Sequence, residues 1–193
     1  HNVVLKQVAE LPEVNSSEGY VLTVTPDQVL IRATSGAGLF YGVQTMLQMA
    51  DEKGLPVGII TDEPRFAYRG FMMDVSRHFF NKEFIKKQMD ALAYYKLNRL
   101  HLHLTDAAGW RIEIKKYPRL TEFAAWREFP TWKEWWNNGR RYEEEGSKDA
   151  HGGYYTQDDI RELVAYAQER FITVIPEIEM PAHSEEVLTA YPE

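Results

Sequence analysis

Hydrophobic positions alternate with a period of two between residues 19 and 33. Tyr20, Leu22 and Val24 precede Pro26-Asp27-Gln28, and Val29, Ile31 and Ala33 follow it. Alternation around turn-forming residues predicts a β-hairpin. The period then lengthens: Leu39, Phe40, Val43, Met46 and Leu47 recur at helical spacing, with Thr34 or Ser35 available as a cap. Gly54-Leu55-Pro56 breaks that helix, and the short apolar run Val57 to Ile60 closes a first section near Thr61 to Pro64. Beyond it, strand and helix signals alternate. Gly70 to Val75 is a strand candidate carrying Asp74 at its end, and Asn81 can cap a helix built on Phe84, Ile85, Met89, Leu92 and Ala93. Leu97 to Leu104 is a second strand ending at Thr105-Asp106. Thr156 to Asp159 opens a third helix with a capping-box pattern, on the Leu163, Val164 and Ala167 face. Thr173 to Ile178 is the next strand, running into Pro181. Strand–helix–strand repetition implies right-handed crossovers and a parallel sheet, an α/β architecture.

The segment from Trp110 to Tyr155 is too long for an ordinary connection and holds Trp126, Trp132, Trp135 and Trp136. A segment of that size carries function or small elements of its own. Its tryptophans can stack on sugar faces, or they can hold a satellite core.

Composition narrows the function classes. The chain has 193 residues, 22 Lys+Arg and 29 Asp+Glu, for a formal net charge of −7. An acidic total without a basic run argues against nucleic acid and anionic membrane surfaces as partners. No apolar stretch is long enough for membrane insertion. There is no cysteine, hence no disulfide framework, thiolate metal site or cysteine nucleophile. The chain opens on His1-Asn2 with no signal segment, which fits a processed chain or a cut from a longer one.

In parallel α/β folds the working residues collect where strands end, and three clusters stand there. Asp74-Val75-Ser76-Arg77-His78 brings a carboxylate, a guanidinium and an imidazole to one strand mouth. Arginine's fork of donors suits pairs of sugar hydroxyls, and a structural ion pair is the competing reading. His101 and His103 lie two apart on a strand and share a face. Such a pair can bind a metal, or pack and hydrogen-bond to neighbours. Asp106 follows just past the strand end, where a buried carboxylate needs a partner. His183, after Pro181, supplies a candidate partner, unless it caps the helix starting at Ser184-Glu185. Glu177 and Glu179 alternate with Ile178, an acid pair compatible with glycoside chemistry or with ordinary salt bridges.

Together these segments resemble glycoside hydrolase family 20, the β-N-acetylhexosaminidases. Ala37-Gly38-Leu39-Phe40-Tyr41-Gly42-Val43-Gln44-Thr45 is similar to the end of the small α/β domain that precedes the family's barrel. Pro64-Arg65-Phe66, with Arg69-Gly70 and Asp74 to Phe79, resembles the first barrel strand. Lys96-Leu97-Asn98 with His101 to Asp106 resembles the second, and Glu177 to Ser184 the third. Four motifs in this order and spacing are highly specific.

The resemblance implies a small α/β domain over residues 1–62, then the first three β/α units of a truncated (β/α)₈ TIM barrel over 63–193. It implies hydrolysis of terminal non-reducing β-linked N-acetylhexosamine from a glycan or oligosaccharide, without metal or organic cofactor. In that scheme the substrate's 2-acetamido oxygen attacks the anomeric carbon, so retention needs no protein nucleophile, an exception to the paired-carboxylate mechanism. Arg77 then corresponds to the arginine that binds hydroxyls of the terminal sugar. Asp106 and His183 correspond to the pair that networks toward the catalytic acid, with Asp74, His78 and Glu179 in support. The chain departs from the family at Ala107, where a second acid is usual, and at Glu179 and Ala182, where Asp and Gly are usual. The family's Asp-Glu pair, which orients the acetamide and protonates the leaving group, lies beyond the third strand. The 193 residues alone are therefore expected to be inactive and, with an open sheet edge, poorly stable. A secreted, periplasmic or lysosome-like compartment is the family's habit. Two further readings compete: a metal-dependent barrel hydrolase using His101, His103, Asp106 and His183, and a non-catalytic sugar-binding protein.

Overall fold

The computed structural model describes residues 2–192, in two compact units: residues up to Arg69 together with Leu92–Leu97, and Gly70–Ala91 together with Asn98 onward. The first unit contains strands β1 (Asn2–Gln7), β2 (Tyr20–Val24), β3 (Gln28–Ala33) and β4 (Gly58–Asp62), in the order β1-β3-β2-β4. The expected hairpin is present as the antiparallel β2–β3 pair, with Val24 opposite Val29. β1 runs parallel to β3. It was not legible in the sequence, because Val3-Val4-Leu5 is an unbroken run and five of its six residues are exposed. Helix α1 (Gly36–Met49) starts at Ser35, whose Oγ accepts the Gly38 N–H at 3.1 Å. Tyr20, Leu22, Val29, Ile31 and Tyr41 form the core of this unit. A Cβ at Gly38 would fall 2.5 Å from the Gly19 carbonyl oxygen, so only glycine lets the helix approach this closely.

The second unit opens with β5 (Gly70–Asp74), the part of α2 (Lys82–Tyr94) up to Ala91, and β6 (Arg99–His103). Asn81 Oδ1 accepts the Phe84 N–H at 2.9 Å, the expected cap. Ile85 and Met89, four apart on one helix face, are fully buried. The segment after β6 is not a structureless loop. It folds into β7 (Thr105–Asp106), β8 (Gly109–Trp110), α3 (Arg119–Glu122), β9 (Trp126–Arg127), α4 (Trp132–Asn137) and β10 (His151–Gly152). α5 (Gln157–Gln168) has the complete Thr156–Asp159 capping box, and β11 (Thr173–Glu177) and α6 (Glu185–Ala190) follow. β11, β6 and β5 form a parallel sheet in that order. Its register sets Asp74 opposite His103, and His103 opposite Glu177. The three polar strand ends therefore meet at one end of the sheet. Among the described residues no helix is long and apolar enough to cross a membrane.

Candidate active site

Asp74 closes β5 with a side-chain turn. Its Oδ1 accepts the N–H groups of Ser76 and Arg77, each at 3.1 Å, and its Oδ2 accepts Arg77 Nη1 at 2.8 Å. Short polar side chains favour such local turns at element ends. Arg77 Nη1 also reaches His103 Nδ1 at 3.0 Å. Because guanidinium only donates, that ring nitrogen accepts, and the proton of a neutral His103 sits on Nε2. Arg77 Nη2 lies 2.5 Å from Asp106 Oδ2, and His183 Nδ1 reaches the same oxygen at 2.8 Å. Asp106 Oδ1 takes the Ala107 N–H at 2.6 Å. A nearly buried carboxylate thus joins a guanidinium to an imidazole.

His183 does not cap the last helix. Ser184 holds the N-cap position of α6, while the His183 ring turns to Asp106 from a left-handed backbone, φ +50°. Glu179 is anchored by its N–H to Thr105 Oγ1 at 2.9 Å, and its Oε1 stands 3.9 Å from His103 Nε2. His101 pairs with Glu177 at 2.6 Å. The ligand atoms of His103, Glu177 and Glu179 lie within 4.8 Å of one another. This trio differs from the set His101, His103, Asp106 and His183, in which Asp106 is engaged by both Arg77 and His183. His78 turns away from the Arg77 cluster. Its ring packs on Phe80, 4.7 Å between centroids, and it lines a separate cavity with Arg127 and His151.

A cavity of about 470 Å³ lies over the cluster, lined in part by Arg77, Asp106, His183, Trp132 and Trp136. The tryptophans of this segment differ in burial. Trp135 is completely buried and donates Nε1–H to the Arg141 carbonyl at 2.9 Å, whereas Trp132 and Trp136 are 41% and 47% exposed.

Two residues escaped the sequence reading. Arg111 is buried among carbonyl oxygens, with donors to Val75, Ser76, Ala108, Ala125 and Gly153 at 2.5 to 3.2 Å. Burial lowers its pKa to about 9, and the guanidinium stays charged at neutral pH. A cation flanked by apolar Trp110 and Ile112 was the available signal. The other is Glu186, discussed below.

Residues 66–193 match the glycosyl hydrolase family 20 catalytic domain, and residues 1–63 match the family's domain 2. The chain belongs to glycosyl hydrolase family 20. It is 46% identical over 187 residues to a beta-hexosaminidase of Porphyromonas gingivalis, covering 91% of this chain and 22% of that one. Identity to a beta-hexosaminidase of Akkermansia muciniphila is 42% over 189 residues, covering 95% and 35%. The chain thus spans about a fifth to a third of the length of these curated relatives. The solved family 20 exo β-N-acetylglucosaminidase of Vibrio harveyi, in complex with N-acetylglucosamine, superposes with a TM-score of 0.82 at 38% identity. That likeness covers 99% of this chain and 29% of the Vibrio chain.

Set within family 20, the departure at Ala107 has a local explanation. Its side chain joins Ala108 and Trp135 in a small core, and its carbonyl accepts the Tyr142 hydroxyl. A small apolar residue is what that packing admits.

Glu186 on α6 is fully buried and takes no hydrogen bond from another residue among those described. Burial, together with the charges of Asp106 and Glu185, raises its pKa to about 7 against the pull of Arg111. The unfolded chain releases this proton near pH 4.5, so between pH 4.5 and 7 the unfolded state binds fewer protons and stability falls as pH rises. Glu186→Gln removes the penalty. Urea denaturation is expected to show the variant gaining on the order of 3 kcal/mol over wild type in going from pH 4 to pH 8. An equal difference at both pH values would show that Glu186 is not the titrating group.

Proposed function

We propose that the whole protein is a β-N-acetylhexosaminidase that releases terminal non-reducing β-linked N-acetylhexosamine with retention, using the substrate's acetamido oxygen as nucleophile. In this reading β5, β6 and β11 are the first three strands of a (β/α)₈ barrel, and the site opens at their carboxyl ends. The observation that carries it is the contact chain Arg77–Asp106–His183 at those ends. Asp74, Asp106 and His103 hold the guanidinium from three sides, so its fork is set before substrate arrives, which lowers the cost of gripping two sugar hydroxyls. Asp106 Oδ2 stands 2.8 Å from His183 Nδ1, which leaves Nε2 to support a catalytic glutamate from a later strand. Glu179, anchored on Thr105 through its N–H, brings a carboxylate oxygen 3.9 Å from His103 Nε2. The substrate is an N-acetylhexosamine-ended glycan, and the scheme needs no cofactor.

Arg77→Ala is expected to raise KM and lower kcat together, reducing kcat/KM on an aryl N-acetyl-β-glucosaminide by about 100-fold, the loss of roughly two charge-assisted hydrogen bonds. An unchanged kcat/KM would remove Arg77 from the sugar site.

A further inference from the structure

The cavity that His78 lines has no part in the hydrolytic scheme. It measures about 340 Å³ and shares no lining residue with the cavity over Arg77, Asp106 and His183. Arg111 and Arg127 contribute to its wall, with His78, His151 and Trp126, and among the described residues no acidic side chain lines it. Both guanidiniums are buried, Arg111 1% and Arg127 3% exposed. Their partners are backbone carbonyls, and a buried cation with no carboxylate beside it carries an uncompensated charge. Arg111 spends all five of its N–H groups on carbonyls. Arg127 spends three. Its Nε donates to the Phe129 carbonyl at 3.0 Å, Nη1 to that of Arg77 at 2.9 Å and Nη2 to that of Pro130 at 2.9 Å. One N–H on each Nη is therefore left without an acceptor among the described residues. Burial pulls the Arg127 pKa down, and no neighbouring anion offsets the shift. A buried charged donor short of acceptors is a feature that a ligand explains.

We propose that this cavity binds a tetrahedral oxoanion, a phosphate or a sulfate, on the two open Nη–H groups of Arg127. The planar fork of a guanidinium matches two oxygens of such an anion, and the charge of Arg111 adds attraction without a bond of its own. His151 stands directly opposite Arg127 in the antiparallel β9–β10 pair, so both side chains leave the same face of the ribbon. Its exposed ring, like that of His78, supplies a further N–H donor. The volume is that of a small-molecule site and leaves room for a sugar bearing the anion as an ester. No part of this site depends on the hexosaminidase reaction.

The test is titration of the whole protein at neutral pH with inorganic phosphate and with glucose 6-phosphate. Sodium chloride and glucose at matched ionic strength are the controls, and Tm and calorimetric heat are the readouts. Saturable binding of a phosphate, with a rise in Tm beyond the controls, is expected. Tighter binding of glucose 6-phosphate would assign the site to a sugar-borne ester, and tighter binding of inorganic phosphate to the free ion. Arg127→Gln removes the fork but also releases the carbonyls of Arg77 and Pro130, so His151→Glu is the decisive variant. It changes an exposed position and sets a carboxylate opposite Arg127, where it occupies the open N–H groups. This variant is expected to keep the circular dichroism of wild type and to weaken phosphate binding at least about tenfold. Undiminished binding in His151→Glu, or no binding of either phosphate by wild type beyond the controls, would overturn the assignment.

Discussion

Asp106→Ala is expected to lower kcat/KM of the whole protein on an N-acetyl-β-glucosaminide by about 10³-fold, with kcat carrying most of the loss. Two functions fail at once. Arg77 loses its 2.5 Å partner, and its fork is no longer aimed by carboxylates on two sides. His183 loses the carboxylate 2.8 Å from its Nδ1, so in the proposed mechanism Nε2 is no longer held toward the catalytic acid. Asp106→Asn keeps the shape but not the charge, and an intermediate loss is expected. Circular dichroism on both variants separates lost chemistry from lost fold. A loss below tenfold in the alanine variant would place Asp106 outside the working site.

Arg111→Leu is expected to cost roughly 5 kcal/mol of stability, enough that the variant fails to accumulate as folded protein. The side chain is 1% exposed and donates to five backbone carbonyls drawn from four chain segments. Leucine would leave those carbonyls buried without donors, at a cost of about 1 kcal/mol or more each. The segments include Val75-Ser76, immediately before Arg77, and Ala108, two residues after Asp106. Arg111 therefore fixes the turns that present the site. Lysine does not substitute, because a single ammonium with three protons cannot reach a ring of five acceptors. Guanidinium denaturation of wild type and Arg111→Lys gives the comparison. A lysine variant within about 1 kcal/mol of wild type would contradict the account.

The parts of the fold set by local chemistry were legible in the sequence. The β2–β3 hairpin follows from alternation around Pro26-Asp27-Gln28, and α5 from the Thr156–Asp159 box. Asp74, Asp106 and His183 were legible as strand-end residues, and the parallel sheet that brings β5, β6 and β11 together followed from strand–helix alternation. Side-chain direction was not. His78 and His103 are both imidazoles near strand ends, yet only His103 touches Arg77, because β6 aims it there and the chain after Asp74 turns His78 toward Phe80. Nor could composition sort the tryptophans: Trp135 and Trp136 are neighbours, and the fold of the segment around α4 buries one and exposes the other. Arg111 and Glu186 depend on carbonyls and charges brought from distant segments, which no window of sequence contains.

The central claim is tested most directly by the whole protein's kcat/KM on two aryl β-glucosides that differ only in carrying a 2-acetamido or a 2-hydroxyl group. An internal acetamide nucleophile predicts hydrolysis of the acetamido substrate at least about 10³-fold faster than the hydroxyl substrate. Comparable rates on the two would contradict it.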